Sequence, residues 1–469
     1  MWRTALLIFI ALTTSISGML FWQWTAYSKQ NIPNENVEKV VQEILIKTDK
    51  DKLHITQKLI GLTPEKEYLT NVSDNLTDWT CLKEDSEPCD SADENPHTFL
   101  SNDDEIQFQY SVLVTEDNNA FLINNWTTLL PEVSVVKTTI EIVDSTKREG
   151  TWVAGAPLKG FMEMDLIDFY LFSSLGGTPS LYWQPVPLRN FQTAEGIDYY
   201  FSADQKENSY ELNEISSLQE FPYAAVILSD EYNGKDGNGL VFSSTNVTDG
   251  ELEKELTEYY IEQRNGFEEK WLIDIFTAYI TKQPVTTNRG KAVLEELNAK
   301  LSEEEMERFY NHVLATNEYL TTEDLDRLLK KIKGANTRFF TINKDESKPF
   351  TPLYFYDTRK VIIANNEDND IEVIIDKGKK LFPFVDTMTA LGFELKLLPD
   401  QETILLMKDS NSYRFYLNSN IFIYNEEDYG LLESPLTNIS GDLYMNKEWI
   451  KTIFKVTFDE GEEEIKLSL

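Results

Sequence analysis

The chain has 469 residues, 41% hydrophobic and 12% aromatic content, and a formal net charge of −37 from 43 basic and 80 acidic side chains. That length supports two or three independent cores, and the aromatic content excludes disorder over most of it. The charge excludes nucleic acid as a partner, because that affinity rests on neutralising phosphates with Lys and Arg.

Residues 1–27 set the expected compartment. After Met1, Trp2 and Arg3 an apolar run extends from residue 5 to about residue 24, broken only by small or hydroxyl side chains and Gln23. Roughly 20 apolar residues suffice to cross a bilayer as a helix. The single Arg3 precedes the run, which predicts an N-terminus in the cytoplasm and the bulk of the chain outside. Phe21, Trp22, Trp24 and Tyr27 cluster where an outer interfacial belt would sit. The run continues apolar past the weak small-residue site at Ser15 and Ser17, so an uncleaved transmembrane anchor is expected; secretion after signal cleavage is the alternative.

Residues 28–104 read as a polar linker, a helix and an acidic loop. Val37, Val40, Val41, Ile44 and Leu45 fall at helical spacing. Residues 70–104 are rich in Asn, Asp, Ser and Glu and predict a long exposed loop. The two cysteines, Cys81 and Cys89, lie in it. Outside the cytoplasm such a pair can close a small loop as a disulfide. A redox pair would take the form Cys-x-x-Cys at a helix start, which is not this spacing.

Residues 105–248 predict a β-rich α+β domain. Ile106, Phe108 and Tyr110 alternate, and further strand-like runs occupy 121–123, 133–143, 181–183, 197–201, 223–228 and 240–242. Residues 161–175 carry apolar side chains compatible with a helix stopped by Gly176 and Gly177. The loop 230–239 reads as a hairpin turn. From Asp230 its third and fifth positions are Tyr232 and Gly234, which fails the calcium-loop pattern. Residues 249–335 predict a helical domain of five helices, one opened by the capping box Ser302 to Glu305 and the last stopped at Gly334.

Chemistry-bearing motifs are scarce. The three histidines, His54, His97 and His312, are dispersed, so no cofactor or metal site is expected from His and Cys. Neither a Gly-x-Ser-x-Gly elbow nor a phosphate loop occurs. Trp152, Tyr182 and Trp183 are the candidate binding-groove residues, with Tyr170, Tyr199 and Tyr200 nearby. Large rings in β-rich domains more often form core, which is the competing reading. Sequons begin at Asn71, Asn75, Asn125, Asn246 and Asn438, frequent enough by chance in an Asn-rich chain.

The last quarter of the chain repeats itself. Leu381 and Leu443 are 62 residues apart, and Phe393 and Phe454 are 61 apart. Each copy reads as strands, a Leu-aromatic entry, a short helix, and two strands joined by an acidic turn. The expected repeat core is Leu381, Leu391 and Phe393 in one copy and Leu443, Ile453 and Phe454 in the other, with Met388 and Ile450 on the helices. The entry Leu381-Phe382-Pro383-Phe384, the helix end Ala390-Leu391-Gly392 and the strand Phe393-Glu394-Leu395 carry a family signature. In the second copy Met445 stands at the proline position and no Gly precedes Phe454. Residues 350–469 thus resemble the copper amine oxidase-like N-terminal (stalk) domain of Gram-positive cell-surface proteins. The resemblance implies an envelope-facing accessory module; amine oxidation would need clustered histidines and an Asn-Tyr-Asp/Glu setting that the chain lacks.

The fold class expected is α+β: a transmembrane helix, a β-rich region, a helical middle and a duplicated strand-helix-strand module. The function expected is that of a membrane-anchored cell-envelope protein without catalysis of its own, contacting an envelope protein or a cell-wall polymer. The alternatives are a cell-wall hydrolase with carboxylate catalysis in 105–245 and a regulatory partner of a membrane sensor kinase.

Overall fold

The computed structural model describes residues 37–83, 87–90, 97–101, 103–114, 119–192, 196–202, 210–218, 220–232, 234, 236–316, 318–363, 366–368, 371–400, 402–417, 419–439 and 441–469. The predicted anchor over 1–27 and the linker 28–36 lie outside them. Among the described residues no helix is long and apolar enough to cross a membrane. The fold is α+β. Two compact bodies form, one from residues up to Glu211 with Glu220–Thr248, the other from Leu212–Gln219 with Asp249–Leu469.

Among the described residues the first body contains sixteen strands: β1 Glu38–Thr48, β2 Lys52–Ile60, β3 Glu67–Leu69, β4 Leu76–Leu82, β5 Thr98–Leu100, β6 Glu105–Leu113, β7 Phe121–Ile123, β8 Val133–Asp144, β9 Thr151–Ala154, β10 Leu158–Glu163, β11 Asp168–Leu175, β12 Leu181–Gln184, β13 Leu188–Gln192, β14 Ile197–Ser202, β15 Ala224–Leu228 and β16 Leu240–Ser243. Seven make one sheet in the order β10-β11-β8-β1-β2-β6-β4. Its buried face carries Ile44, Ile46, Leu53, Ile55, Phe108, Ile140 and Phe172. A three-stranded sheet, β7-β12-β9, contributes Trp152, Leu181 and Trp183 to the same core. Its other residues, Val153 and Tyr182, join a second core with Tyr200, Ala225, Ile227 and Leu240. That core belongs to the sheet β13-β14-β15-β16.

Three sequence expectations fail here, each for a physical reason. Of residues 37–46, all from Glu38 onward lie in β1, not in a helix. Its inward positions are Val40, Gln42, Ile44, Ile46 and Thr48, a period of two disguised by the polar Gln42 and Thr48. Gln42 is tolerated in the core because it is hydrogen-bonded: Gln57 Nε2 donates to its Oε1 at 2.8 Å, and its Nε2 donates to Thr138 Oγ1 at 3.2 Å. Residues 161–175 form the antiparallel pair β10 and β11, not a helix. Asp168, Tyr170 and Phe172 point inward at alternate positions, which a short apolar run does not distinguish from a helix face. The stretch 70–104 is not one loop, since β4 and β5 lie within it and Trp79 stacks on Phe108 at 5.7 Å.

The loop 230–239 is also not a hairpin turn. β15 and β16 are parallel neighbours, with Ala225 opposite Leu240, so the loop is a crossover. Gly239 takes a φ of +81°, and a Cβ there would meet the Gly155 carbonyl oxygen at 2.2 Å. Glycine at both positions lets the two backbones touch.

In the second body five helices match the predicted ones: Asp249–Asn265, Lys270–Thr281, Asn288–Lys300, Glu303–Ala315 and Thr322–Lys333. The Ser302–Glu305 capping box is formed, and Thr321 with Asp324 makes another. Gly334 closes the last of them in the left-handed conformation. A short helix, Phe339–Asn343, was not legible. Asp326 builds it by accepting from the Phe340 and Thr341 backbones at 2.9 and 3.0 Å.

The repeat follows. Strand Lys379–Pro383 leads into helix Phe384–Ala390, and strand Asp442–Asn446 into helix Lys447–Phe454. These two strands pair antiparallel, with Phe382 directly opposite Met445. Both are fully buried in one core with Met388, Leu391, Phe393, Ile450, Phe454 and Val456. The structural register therefore differs from the sequence one. Equivalence of Phe382 with Met445 pairs Leu391 with Phe454 and Phe393 with Val456. The matches of Leu381 with Leu443 and of Phe393 with Phe454 follow residue type and not position in the fold, because strand Glu394–Leu397 and strand Thr457–Glu460 keep the register set by Phe382 and Met445. Leu381 lies in a separate small core with Ile374, Ile439 and Tyr444, whereas Leu443 and Ile453 are only partly buried against the main core.

The corrected register locates the missing glycine. Gly392 has a φ of +83°, and its counterpart Lys455 has a φ of +59° at the end of helix Lys447–Phe454. A side chain in the left-handed region costs about 1 kcal/mol relative to glycine. Lys455→Gly is therefore expected to raise the stability of this module by about 1 kcal/mol, read as a later denaturation midpoint. An unchanged or earlier midpoint would show that the Lys455 Nζ bond to the Thr452 carbonyl, at 2.9 Å, outweighs the backbone strain.

An ion cluster ties the same module together. Arg359 binds Asp357 through Nε at 2.9 Å and Nη2 at 2.6 Å, and Glu460 at 3.0 Å. Lys447 donates to Glu460 Oε1 at 2.6 Å, and Lys380 also donates to Glu460. Burial opposes ionisation of Glu460, but the bonds from Lys380, Lys447 and Arg359 override it and hold its carboxyl at about 2.

Candidate ligand-binding cleft

The first body contains a cleft of about 720 Å³, lined by side chains from four loops. Asn71 and Ser73 precede β4. Asn124, Asn125 and Trp126 follow β7. Thr178, Pro179 and Ser180 precede β12, and Asp236, Gly237 and Asn238 precede β16. No Lys, Arg or His is among the lining residues.

The floor is held in place by bonds inherited from the large sheet. Gln42 Nε2 donates to Thr178 Oγ1 at 2.7 Å, and Thr178 Oγ1 lies 3.0 Å from Thr127 Oγ1. Gln57 bonds both backbone groups of Thr128, and Tyr110 Oη donates to Gln57 Oε1 at 2.9 Å. Trp126, fully buried, donates its Nε1–H to the Pro179 carbonyl at 3.0 Å. A closed polar network of this kind fixes the geometry of the loops it anchors. The wall is fixed equally: Ser180 N donates to the Asn238 carbonyl at 3.0 Å, Asn238 N to Ser180 Oγ at 2.8 Å, and Ser180 Oγ to Asn124 Oδ1. Gly237 lies against this wall, and a Cβ there would sit 2.7 Å from the Ser180 side chain.

Apart from the apolar Trp126, Leu129 and Pro179, what is left facing the space is amide, hydroxyl and carboxylate. The side chains of Asn71, Ser73 and Asn125 make no hydrogen bond among the described residues, and Asn124 uses only its Oδ1. Asp236 Oδ1 accepts from Phe242 N at 2.8 Å. Amides and hydroxyls offer donors and acceptors side by side. With a single carboxylate and no cation among its described lining residues, the cleft suits a neutral ligand rich in hydroxyl or amide groups. Asn125 adopts a φ of +51°, a conformation asparagine tolerates better than most residues.

Sequence reasoning pointed elsewhere. Trp152, Tyr182 and Trp183 are 1%, 0% and 2% exposed and line no groove. Trp152 and Trp183 pack with Phe121 at 5.7 and 5.6 Å, and Lys147 Nζ lies 4.7 Å from the Trp183 ring. Burial pushes the Lys147 ammonium down, against the pull of Asp144. The rings thus enclose a side chain of their own body, and the core reading of them is the one observed. Cys81 and Cys89 are disulfide-bonded, with Cα atoms 5.4 Å apart. They clip the end of β4, away from the cleft lining. The cleft residues had one sequence signal, asparagines set in loops, and two of them, Asn71 and Asn125, head sequons. Nothing in the linear order showed that loops from 71, 124, 178 and 236 meet.

Among the described residues no group of three or more His, Cys, Asp or Glu is placed to hold a metal ion. Solved structures similar to this chain include an M1 zinc metallopeptidase from Deinococcus radiodurans, at 10% identity and a TM-score of 0.44, covering 64% of this chain and 91% of that one. A mutant of the same enzyme bound to a Tyr-Ser-Ala substrate matches at 12% identity and a TM-score of 0.41, with the same coverage of each chain. The expectation that the chain is not an enzyme is corrected by this finding and is not carried forward. At this identity and TM-score, no activity, metal or substrate passes from those enzymes to this chain. No curated protein matches it. Residues 362–469 match the family model of the copper amine oxidase N-terminal domain, the family that the repeat resembles in sequence.

Proposed function

We propose that this is a membrane-anchored protein of the bacterial envelope whose folded bodies face outward and which contacts a cell-wall polymer through the asparagine-lined cleft. The observation that carries the reading is the cleft itself: unengaged amides and a hydroxyl on the loops at 71–73 and 124–125, held by a buried polar network, with no cation among the described lining residues. That lining favours a neutral glycan-like segment over a phosphate or carboxylate ligand. The apolar run over 1–27 supports the anchor and the outward orientation. The copper amine oxidase N-terminal domain at the C-terminus supports an envelope-facing module that spaces or docks the chain.

The test is co-sedimentation of the full-length chain, in mild detergent, with purified peptidoglycan sacculi. Ser73→Trp places an indole in the cleft without removing a side-chain hydrogen bond. The expected result is retention of the wild type on the sacculi and loss of about tenfold or more in affinity for the variant at unchanged melting temperature. Equal retention of both proteins, or retention of neither, would overturn the assignment of the cleft.

A further inference from the structure

Among the described residues the outermost strand of the large sheet, β10, has a neighbour on one side only: β11. It is also exposed on its faces, with Phe161 at 52% and Met162 at 58%, and the turn beyond it exposes Leu166 at 82%. An open edge with apolar side chains is a template for another strand. The turn is not loose. Arg148 donates to the carbonyls of Met164 and Asp165 at 2.6 and 3.1 Å and to Asp168 Oδ1 at 3.0 Å, and Met164 N bonds the Ile167 carbonyl at 3.0 Å. The edge is therefore presented in a fixed conformation.

We infer that the occupant of this edge is a second copy of the same strand, added antiparallel about Phe161. In that register every facing pair is compatible. Phe161 meets its own copy, Lys159 meets Glu163, Met162 meets Gly160, and Met164 meets Leu158. Lys159 and Glu163 are exposed, and neither joins an ion pair among the described residues. Gly160 leaves open space beside it, with the nearest atom to a Cβ at 3.9 Å, where the opposing Met162 would lie. Shifting the register by one residue in either direction puts Glu163 opposite Gly160 or Leu158 and leaves both charges unpaired. A two-fold interface must be self-complementary in this sense, and the β10 sequence satisfies it with both charge and shape. The pairing joins two seven-stranded sheets into one continuous sheet and is independent of the cleft.

Lysine and a bulge on an edge strand can also serve to repel partners, and β10 has both, with its bulge at Lys159. Charge exchange separates the two roles. Sedimentation velocity of the full-length chain in mild detergent is expected to show a dimer for the wild type. Lys159→Glu alone and Glu163→Lys alone each put like charges opposite each other twice, and each is expected to weaken dimerisation about tenfold. An equimolar mixture of the two variants restores opposite charges at both positions and is expected to recover the wild-type affinity as a heterodimer. A monomeric wild type, single variants that dimerise as the wild type does, or a mixture that stays monomeric would each overturn the inference.

Discussion

Replacing Asp144 by Ala is expected to destabilise the first body by about 3–5 kcal/mol, because a buried acceptor of several donors is removed and a buried cation loses its partner. Asp144 is fully buried at the end of β8. Its Oδ1 accepts from Thr48 Oγ1 at 2.8 Å, Lys147 N at 2.8 Å and Thr146 N at 3.1 Å, and its Oδ2 accepts from Trp152 Nε1 at 3.0 Å. Alanine leaves these donors without an acceptor inside a core that admits little water. Asp144→Asn keeps one acceptor oxygen and is expected to cost less, about 2 kcal/mol. Urea unfolding followed by tryptophan fluorescence measures both, since Trp126, Trp152 and Trp183 are all buried in this body. Coincident unfolding curves for the wild type and Asp144→Ala would show that the cluster around Trp152 does not support the fold as its geometry implies.

Leu391→Asp is expected to unfold the C-terminal module, at a cost of about 4 kcal/mol or more for an unpaired charge in an apolar core. Leu391 is 4% exposed at the end of helix Phe384–Ala390 and sits in one core with Met388, Phe393 and Phe454. A graded control comes from the register. Leu443 is only partly buried, so Leu443→Asp is expected to cost about 1–2 kcal/mol, because its carboxylate can reach water. Thermal melting with limited proteolysis reads both. Equal effects of the two substitutions would contradict the assignment of Leu391, and not Leu443, to the centre of the module.

Much of this architecture was legible without coordinates. The helices over 249–333 announce themselves by caps and period: Ser302 with Glu305, Thr321 with Asp324, and Gly334 as a stop. The duplication near the C-terminus was legible in the entry and helix-end motifs, and the family match to 362–469 agrees with it. Those signals are local, and local backbone chemistry is what a sequence encodes most directly.

The strand β1 was misread because Gln42 and Thr48 occupy core positions, and only their partners Gln57, Thr138 and Asp144, distant in sequence, make that burial tolerable. The hairpin β10–β11 was misread because a short apolar run has no decisive period. The exact equivalence of the repeats was masked by like residue types at non-equivalent positions, Leu381 with Leu443 and Phe393 with Phe454, and recovered only from the pairing of Phe382 with Met445. By itself, then, the sequence determined the class, the helices, the duplication, the acidity and the apolar N-terminal run. The tertiary structure decided which strands neighbour one another, that Trp152, Tyr182 and Trp183 are core, and that four loops, three of them bearing asparagine, converge on one cleft. The reason is that each of those depends on contacts between residues tens of positions apart, which strand pairing creates and linear spacing does not record.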